Sequence, residues 1–171
     1  MQFSMFLYAA AFVGLGAPAF GQSIVERAAR DEITYMASEE PAMRDAFRKA
    51  RATLDDFLSA AAHPKDGTTN HALKVAISDG KATEYFWVSS FVPKHDRFIG
   101  TLNNEPRVVK KHKLGESIEF SREQIANWTF VDRSKGQMIG NFTGCALMTK
   151  ELPAQAEKFK RRYGLQCDSS L

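Results

Sequence analysis

Two short segments carry the side chains with the greatest capacity for chemistry. The first contains Glu84 and Trp87, and the second is Asn103-Asn104-Glu105-Pro106. A carboxylate can act as a general base, and adjacent amides offer hydrogen-bond donors and acceptors at the end of a predicted strand, where ligands often bind. The structural alternative is a turn, because Asn tolerates the left-handed conformation and Pro sets the direction of the chain. We favour the turn, and ligand binding is the alternative.

The two tryptophans, Trp87 and Trp128, belong to this site only if the fold brings them together. Each is expected to be a core or half-buried side chain, as large aromatic residues usually are. A groove that contains both, with Glu84 and Asn104 beside it, would instead form a binding site. The candidate binding residues are therefore Glu84, Trp87, Asn103, Asn104, Glu105 and Trp128.

A basic segment follows the turn. Residues 107–113 include no acidic side chain, and they contain Arg107, Lys110, Lys111 and Lys113 together with His112. The simplest interpretation is a solvated connection between two elements. The alternative is an anion-binding edge, which in an exported protein would bind a phosphorylated glycolipid head group, an anionic lipid or an acidic partner. The net charge of +3 is too small to indicate nucleic-acid binding.

The sequence contains no recognisable catalytic or metal-binding motif. HExxH, GxSxG, the P-loop and GxGxxG are absent, and the histidines stand singly at His63, His71, His95 and His112. We therefore expect no metal and no cofactor. We favour a non-enzymatic binding domain whose partner is an envelope protein or an anionic envelope component. Two alternatives stay open: a hydrolase-like enzyme with Glu84 or Glu105 as general base, and an immunity-type inhibitor of a secreted toxin.

The N-terminal segment indicates export. Residues 1–21 contain no Asp, Glu, Lys or Arg, and the apolar run from Phe6 to Phe20 is shorter than the roughly 20 residues that a membrane-spanning helix needs. This pattern is typical of a signal peptide, cleaved ahead of Gln22 or after Ala19. We predict a periplasmic protein that keeps no transmembrane span after cleavage.

The interpretation of the two cysteines, Cys145 and Cys167, depends on this location. In an oxidising compartment an even count favours a disulfide, and two unpaired thiols are the alternative. The bridge would close a loop of about 20 residues and contribute roughly 3 kcal/mol in the chain-entropy model. It would tie the C-terminal tail to the predicted strand that holds Cys145.

The remaining patterns predict a single α+β domain over residues 38–171, preceded by a leader with a short strand within residues 22–37. Apolar spacings of three and four predict an amphipathic helix from Pro41 to His63, packed on a mostly antiparallel sheet. Alternating residues around an Asp79-Gly80 turn predict a hairpin. Residues 137–148 are predicted as a strand, and Pro153 to Gly164 as a short C-terminal helix.

Several motifs stand in a fixed order along this domain. They are Glu84-Tyr85-Phe86-Trp87-Val88, Phe98-Ile99-Gly100-Thr101-Leu102-Asn103-Asn104-Glu105-Pro106, Leu114-Gly115, Ile125 to Trp128 and Gly140-Asn141-Phe142-Thr143. In these motifs the chain resembles the YegJ-like family of bacterial proteins, a domain of unknown function. The resemblance implies a bacterial source and carries over no activity, cofactor or catalytic residue. The family usually has Asp immediately before the second Trp, where this chain has Asn127, so no acid/base role is implied at this position.

Overall fold

Two helices open the part of the chain that the computed structural model describes, residues 40–167. Helix α1 is Pro41–Ala52 and helix α2 is Leu54–Ala62. The sequence predicts one continuous helix here, and that prediction is wrong at Thr53, where the backbone leaves helical geometry with φ −112° and ψ 10°. The Thr53 hydroxyl donates to the carbonyl of Lys49, so the side chain bonds to the preceding turn. The predicted signal peptide and the short strand of the leader lie outside the described residues.

Six strands form one sheet in which every neighbouring pair is antiparallel. The strands are β1 (Thr68–Ser78), β2 (Thr83–Lys94), β3 (Arg97–Leu102), β4 (Ser117–Ser121), β5 (Ile125–Asp132) and β6 (Gln137–Gly140). Their spatial order is β4-β3-β2-β1-β5-β6. A short 3-10 helix, Arg122–Gln124, links β4 to β5 and begins with a capping box formed by Ser121 and Gln124. The single α+β domain with a mostly antiparallel sheet is therefore confirmed.

The two faces of the sheet differ in chemistry, and the strand register shows which residues share a face. Leu73 of β1 lies opposite Val88 of β2 and Trp128 of β5. The next residue, Lys74, lies opposite Trp87 and Asn127. Because successive strand residues point to opposite faces, the face with Leu73 is apolar and the face with Lys74 carries polar groups. The apolar face holds the core, in which Trp128 and Phe57 of α2 are fully buried.

The C-terminal part of the chain contains two further helices, α3 (Phe142–Met148) and α4 (Pro153–Tyr163). Helix α4 confirms the predicted C-terminal helix, but the prediction of a strand over residues 137–148 is wrong beyond Gly140. Gly140 and Asn141 both adopt positive φ, 78° and 50°, and this turns the chain out of the sheet. A side chain at Gly140 would also collide with the Trp128 ring, since its Cβ would lie 2.5 Å from two ring carbons.

The structure brings Cys145 and Cys167 to disulfide distance, with their Cα atoms 5.5 Å apart. The predicted pairing therefore appears in the fold. The element is different from the prediction, because Cys145 lies on helix α3 and not on a strand. The bridge ties the segment after α4 to α3, and closes a stretch of chain with a separation of 22 residues.

Candidate functional site

A buried carboxylate on β2 accepts hydrogen bonds from the backbone of the connection between β3 and β4. We call residues 106–116 the basic loop. Glu84 of β2 is only 6% exposed. Its Oε1 accepts the backbone N–H of Arg107 at 2.9 Å, and its Oε2 accepts the N–H groups of Val108 and Val109, each at 2.9 Å. Three consecutive backbone amides therefore converge on one carboxylate, which fixes the backbone at the start of the basic loop.

The predicted turn at Asn103 and Asn104 is also bonded to β2. The N–H of Asn103 donates to the carbonyl of Trp87 at 2.8 Å. The side-chain Oδ1 of Asn104 accepts the N–H of Trp87 at 2.8 Å. These two bonds continue the pairing of β2 past the end of β3, so the structure brings Trp87, Asn103 and Asn104 together. Glu105 lies exposed beside them.

The cationic side chains of the basic loop point outward. Arg107, Lys110, Lys111 and Lys113 are all exposed. The Lys110 ammonium donates to the carbonyl of Pro106 at 3.0 Å, and that of Lys111 donates to the carbonyl of Ser78 at 2.9 Å. Because both acceptors are neutral, these bonds orient the two ammonium groups without forming an ion pair. The nearby Lys111 charge is the smallest of the causes that lower the pKa of Asp79, after the hydrogen bonds from the backbone N–H groups of Ala82 and Lys81.

One acidic side chain inside the loop is already engaged. Glu116 lies 3.0 Å from Nδ1 of His112 through its Oε1, and its Oε2 accepts the N–H of Lys113 at 2.9 Å. The hydrogen bond with His112, followed by that backbone bond, holds the pKa of Glu116 below its ordinary value. Lys111 and His112 also line a polar cavity of about 360 Å³ beside the loop. The loop therefore combines exposed cations with a nearby recess.

Two aliphatic side chains are exposed on the same loop. Val108 is 55% exposed and Leu114 is 51% exposed. Between them, Val109 is fully buried in the core. Val109 thus anchors the loop by packing while Glu84 anchors it by hydrogen bonding.

Trp128 does not belong to this site. It lies in the core on the face opposite to Trp87, with its ring stacked 4.9 Å from that of Phe57. Its indole N–H reaches the carbonyl of Ala50 at 3.2 Å and the hydroxyl of Thr53 at 3.1 Å. The structure therefore contains no groove with both tryptophans, and Trp128 joins the helices to the sheet.

No pattern in the sequence predicts the polar cluster formed by Lys74, Asn127 and Thr143. It lies on the polar face of the sheet, the face that also carries Trp87. The Thr143 hydroxyl oxygen accepts from the Lys74 ammonium at 3.1 Å and from the Asn127 side-chain amide at 2.9 Å. The ammonium also lies 5.3 Å from the centre of the Trp87 ring. Burial lowers the pKa of Lys74 to about 8. Asn127 Oδ1 is buried and has no hydrogen-bond partner among the residues that the structure describes.

A separate apolar cleft of about 660 Å³ lies between α2 and the tip of the β2–β3 hairpin. Its lining includes Leu58, His71, Phe91 and Phe98. Over residues 40–167, no group of three or more His, Cys, Asp or Glu side chains is arranged to hold a metal ion. Within the same range, no helix has the length and apolar character needed to cross a membrane.

Comparison with known proteins gives a family without an assigned activity. Residues 40–167 match the family described as "Uncharacterized protein conserved in bacteria (DUF2314)". The chain is 27% identical over 124 residues to the uncharacterized protein YegJ of Escherichia coli (strain K12). The aligned residues make up 72% of this chain and 78% of that protein. No solved structure matches the chain.

Proposed function

The chain belongs to the DUF2314 family of uncharacterised bacterial proteins. We propose that it is a non-enzymatic binding domain of the periplasm. Its basic loop holds an anionic component of the cell envelope. The observation that carries the proposal is the convergence of the Arg107, Val108 and Val109 amides on the buried Glu84 carboxylate. This anchor presents the cations of the loop on a backbone that is already ordered.

Preorganisation supports a binding role for this loop. A surface that must be ordered on binding loses affinity to conformational entropy, whereas an ordered one does not. Glu84 and the buried Val109 side chain hold the backbone from within the core, so only the outward side chains adjust to a partner.

Electrostatics give the sign of the partner. The ammonium groups of Lys110 and Lys111 donate to neutral carbonyls, and Glu116 is paired with His112, so the exposed cations of the loop outweigh its acids. An exposed positive loop attracts anions, and the attraction weakens as salt screens it.

The geometry of Glu84 favours anchoring over catalysis. A general base must reach the substrate proton with a free lone pair. Both oxygens of this buried carboxylate accept backbone N–H groups of its own chain. The predicted signal peptide and the cysteine pair at disulfide distance support export to an oxidising compartment.

The test uses the protein expressed from its full sequence and a soluble polyanion, inorganic polyphosphate that carries a fluorescent label at one end. The loop variant is Lys110→Gln, Lys111→Gln, Lys113→Gln. The matched control removes three exposed cations from α4, as Lys158→Gln, Arg161→Gln, Arg162→Gln. We expect the loop variant to bind about tenfold more weakly, which corresponds to about 1.4 kcal/mol, with a smaller salt dependence.

The control separates a site from a general charge effect. We expect the α4 variant to bind within about twofold of the unmodified protein, since it loses only distant, screened charges. Equal losses in the two variants, or no binding by the unmodified protein, would refute the proposed anion-binding function.

A further inference from the structure

We infer that the anionic component is a membrane surface: the basic loop docks on lipid head groups, and Val108 and Leu114 enter the interfacial layer. This inference rests on the proposed function, because the same loop supplies the positive charge. A membrane partner also gives a role to the exposed Val108 and Leu114 side chains, which an anion bound by charge alone would not use.

Two exposed aliphatic side chains lie on the basic loop itself. Among the described residues, five large apolar side chains are exposed, and two of them, Val108 and Leu114, lie on the basic loop. A single exposed aliphatic side chain is ordinary on a protein surface. Aliphatic side chains among several cations fit the boundary between lipid phosphates and acyl chains, where both kinds of group are satisfied.

Each of the two exposed aliphatic residues directly follows a basic residue along the loop. Val108 follows Arg107, and Leu114 follows Lys113. A protein interface concentrates its apolar groups at a centre and leaves charge at the rim. Here the two exposed aliphatic residues stand at either end of the basic run 110–113 and are not adjacent in the chain, so a phosphate-covered surface fits this loop better than a folded acidic partner does.

Backbone hydrogen bonds hold both aliphatic groups in place. The N–H of Val108 is bound by Glu84, and its neighbour Val109 is buried, so the Val108 side chain is kept outside the core. Next to Leu114, the N–H of Gly115 donates to the carbonyl of Leu102 at 2.9 Å. The loop therefore offers two fixed points of insertion.

The experiment measures sedimentation of the full-sequence protein with vesicles of phosphatidylcholine, alone or mixed with phosphatidylglycerol. The insertion variant is Val108→Ser, Leu114→Ser. The matched control is Val92→Ser, Leu152→Ser, which changes an exposed Val and an exposed Leu (54% and 67%) outside the loop. We expect binding to the mixed vesicles only. We also expect about a tenfold loss for the insertion variant and no loss for the control.

Polyphosphate binding by the same variants separates the two proposals. The membrane inference predicts that the insertion variant keeps its affinity for polyphosphate while it loses vesicle binding. If it keeps both, or if the unmodified protein binds polyphosphate but no vesicle, the membrane inference is refuted and the anion-binding function stands. If the protein binds neither probe, both proposals fail.

A second readout keeps the test valid if the serine variant folds poorly. In a Leu114→Trp variant, the added indole should shift its emission to shorter wavelength on anionic vesicles, after subtraction of the unmodified protein's signal. No shift under conditions where the protein sediments with the vesicles would also refute insertion at this position.

Discussion

Glu84 and the cluster of Lys74, Asn127 and Thr143 are both polar groups in the interior, but only one of them is fully satisfied. Both oxygens of Glu84 accept backbone N–H groups. In the cluster, the Thr143 hydroxyl accepts from both Lys74 and Asn127, and Asn127 Oδ1 has no partner among the described residues. A buried polar group whose hydrogen bonds are made stabilises what it contacts, whereas a buried polar atom without a partner costs stability. The comparison indicates that Glu84 maintains a surface and that the cluster is a tolerated cost.

The largest effect is expected at Glu84. Glu84→Gln removes the charge and turns an N–H₂ group toward amide donors that need an acceptor. Hydrogen bonds to charged groups contribute about 1.5–3 kcal/mol, so we expect the free energy of unfolding to fall by about 3 kcal/mol. Urea denaturation measures this loss, and anion binding should weaken with it.

The matched control is Glu105→Gln, since this neighbouring carboxylate is exposed. It should change stability by less than about 0.5 kcal/mol. If Glu84→Gln costs no more than Glu105→Gln, the buried carboxylate does not anchor the loop.

An intermediate effect of opposite sign is expected at Lys74. Burial lowers the pKa of Lys74 from 10.5 to about 8 in the folded state. Between these values the unfolded state binds more protons, so the free energy of unfolding should rise with pH across this window. Lys74→Met removes the buried charge, should stabilise the protein at pH 7 by about 1–2 kcal/mol, and should abolish this rise.

The difference in free energy of unfolding between the unmodified protein and the Lys74→Met variant isolates the contribution of Lys74, because the two proteins share all other titrating groups. Denaturation curves at several pH values from neutral to alkaline measure it. An identical pH slope in the Lys74→Met variant would mean that this ammonium group is not desolvated by the fold.

The smallest effect is expected at Asn127. In Asn127→Asp, a carboxylate would sit beside the Lys74 ammonium, and the Thr143 hydroxyl could donate to it. We expect a gain of about 1 kcal/mol at pH 7, with the pKa of Lys74 moved back toward its ordinary value. The pH-dependent rise should shrink, whereas Asn127→Ala, which only deletes the amide, should leave it intact. A destabilised Asp variant with an unchanged pH slope would show that the carboxylate and Lys74 do not pair.

Local signals predicted much of the fold. Alternating residues around Asp79-Gly80 specify the β1–β2 hairpin, and Pro153 with Gly164 bounds α4. The strand predicted through Met148 failed because apolar residues over a short segment fit a strand or a helix equally well. Positive φ at Gly140 and Asn141 ends the strand, and the chain continues as a helix. A side chain at Gly140 would collide with Trp128, which lies on another strand.

The candidate site shows a different limit. The side-chain types of Glu84 and Asn104 predict a candidate site, but their partners are backbone N–H groups, which have no signature in a sequence. Lys74, Asn127 and Thr143 come from β1, β5 and α3, and only the strand register brings them together. Pairing between distant segments is set by tertiary packing, so a single sequence does not reveal it.

The basic loop is the surface proposed to meet an anionic envelope. Backbone amide chemical shifts of the labelled protein, recorded as bicelles containing phosphatidylglycerol are added, test this proposal most directly. We expect the largest shifts in residues 106–116, and we expect salt to reverse them. Largest shifts around the apolar cleft at His71, Phe91 and Phe98, or shifts spread evenly over the protein, would contradict it.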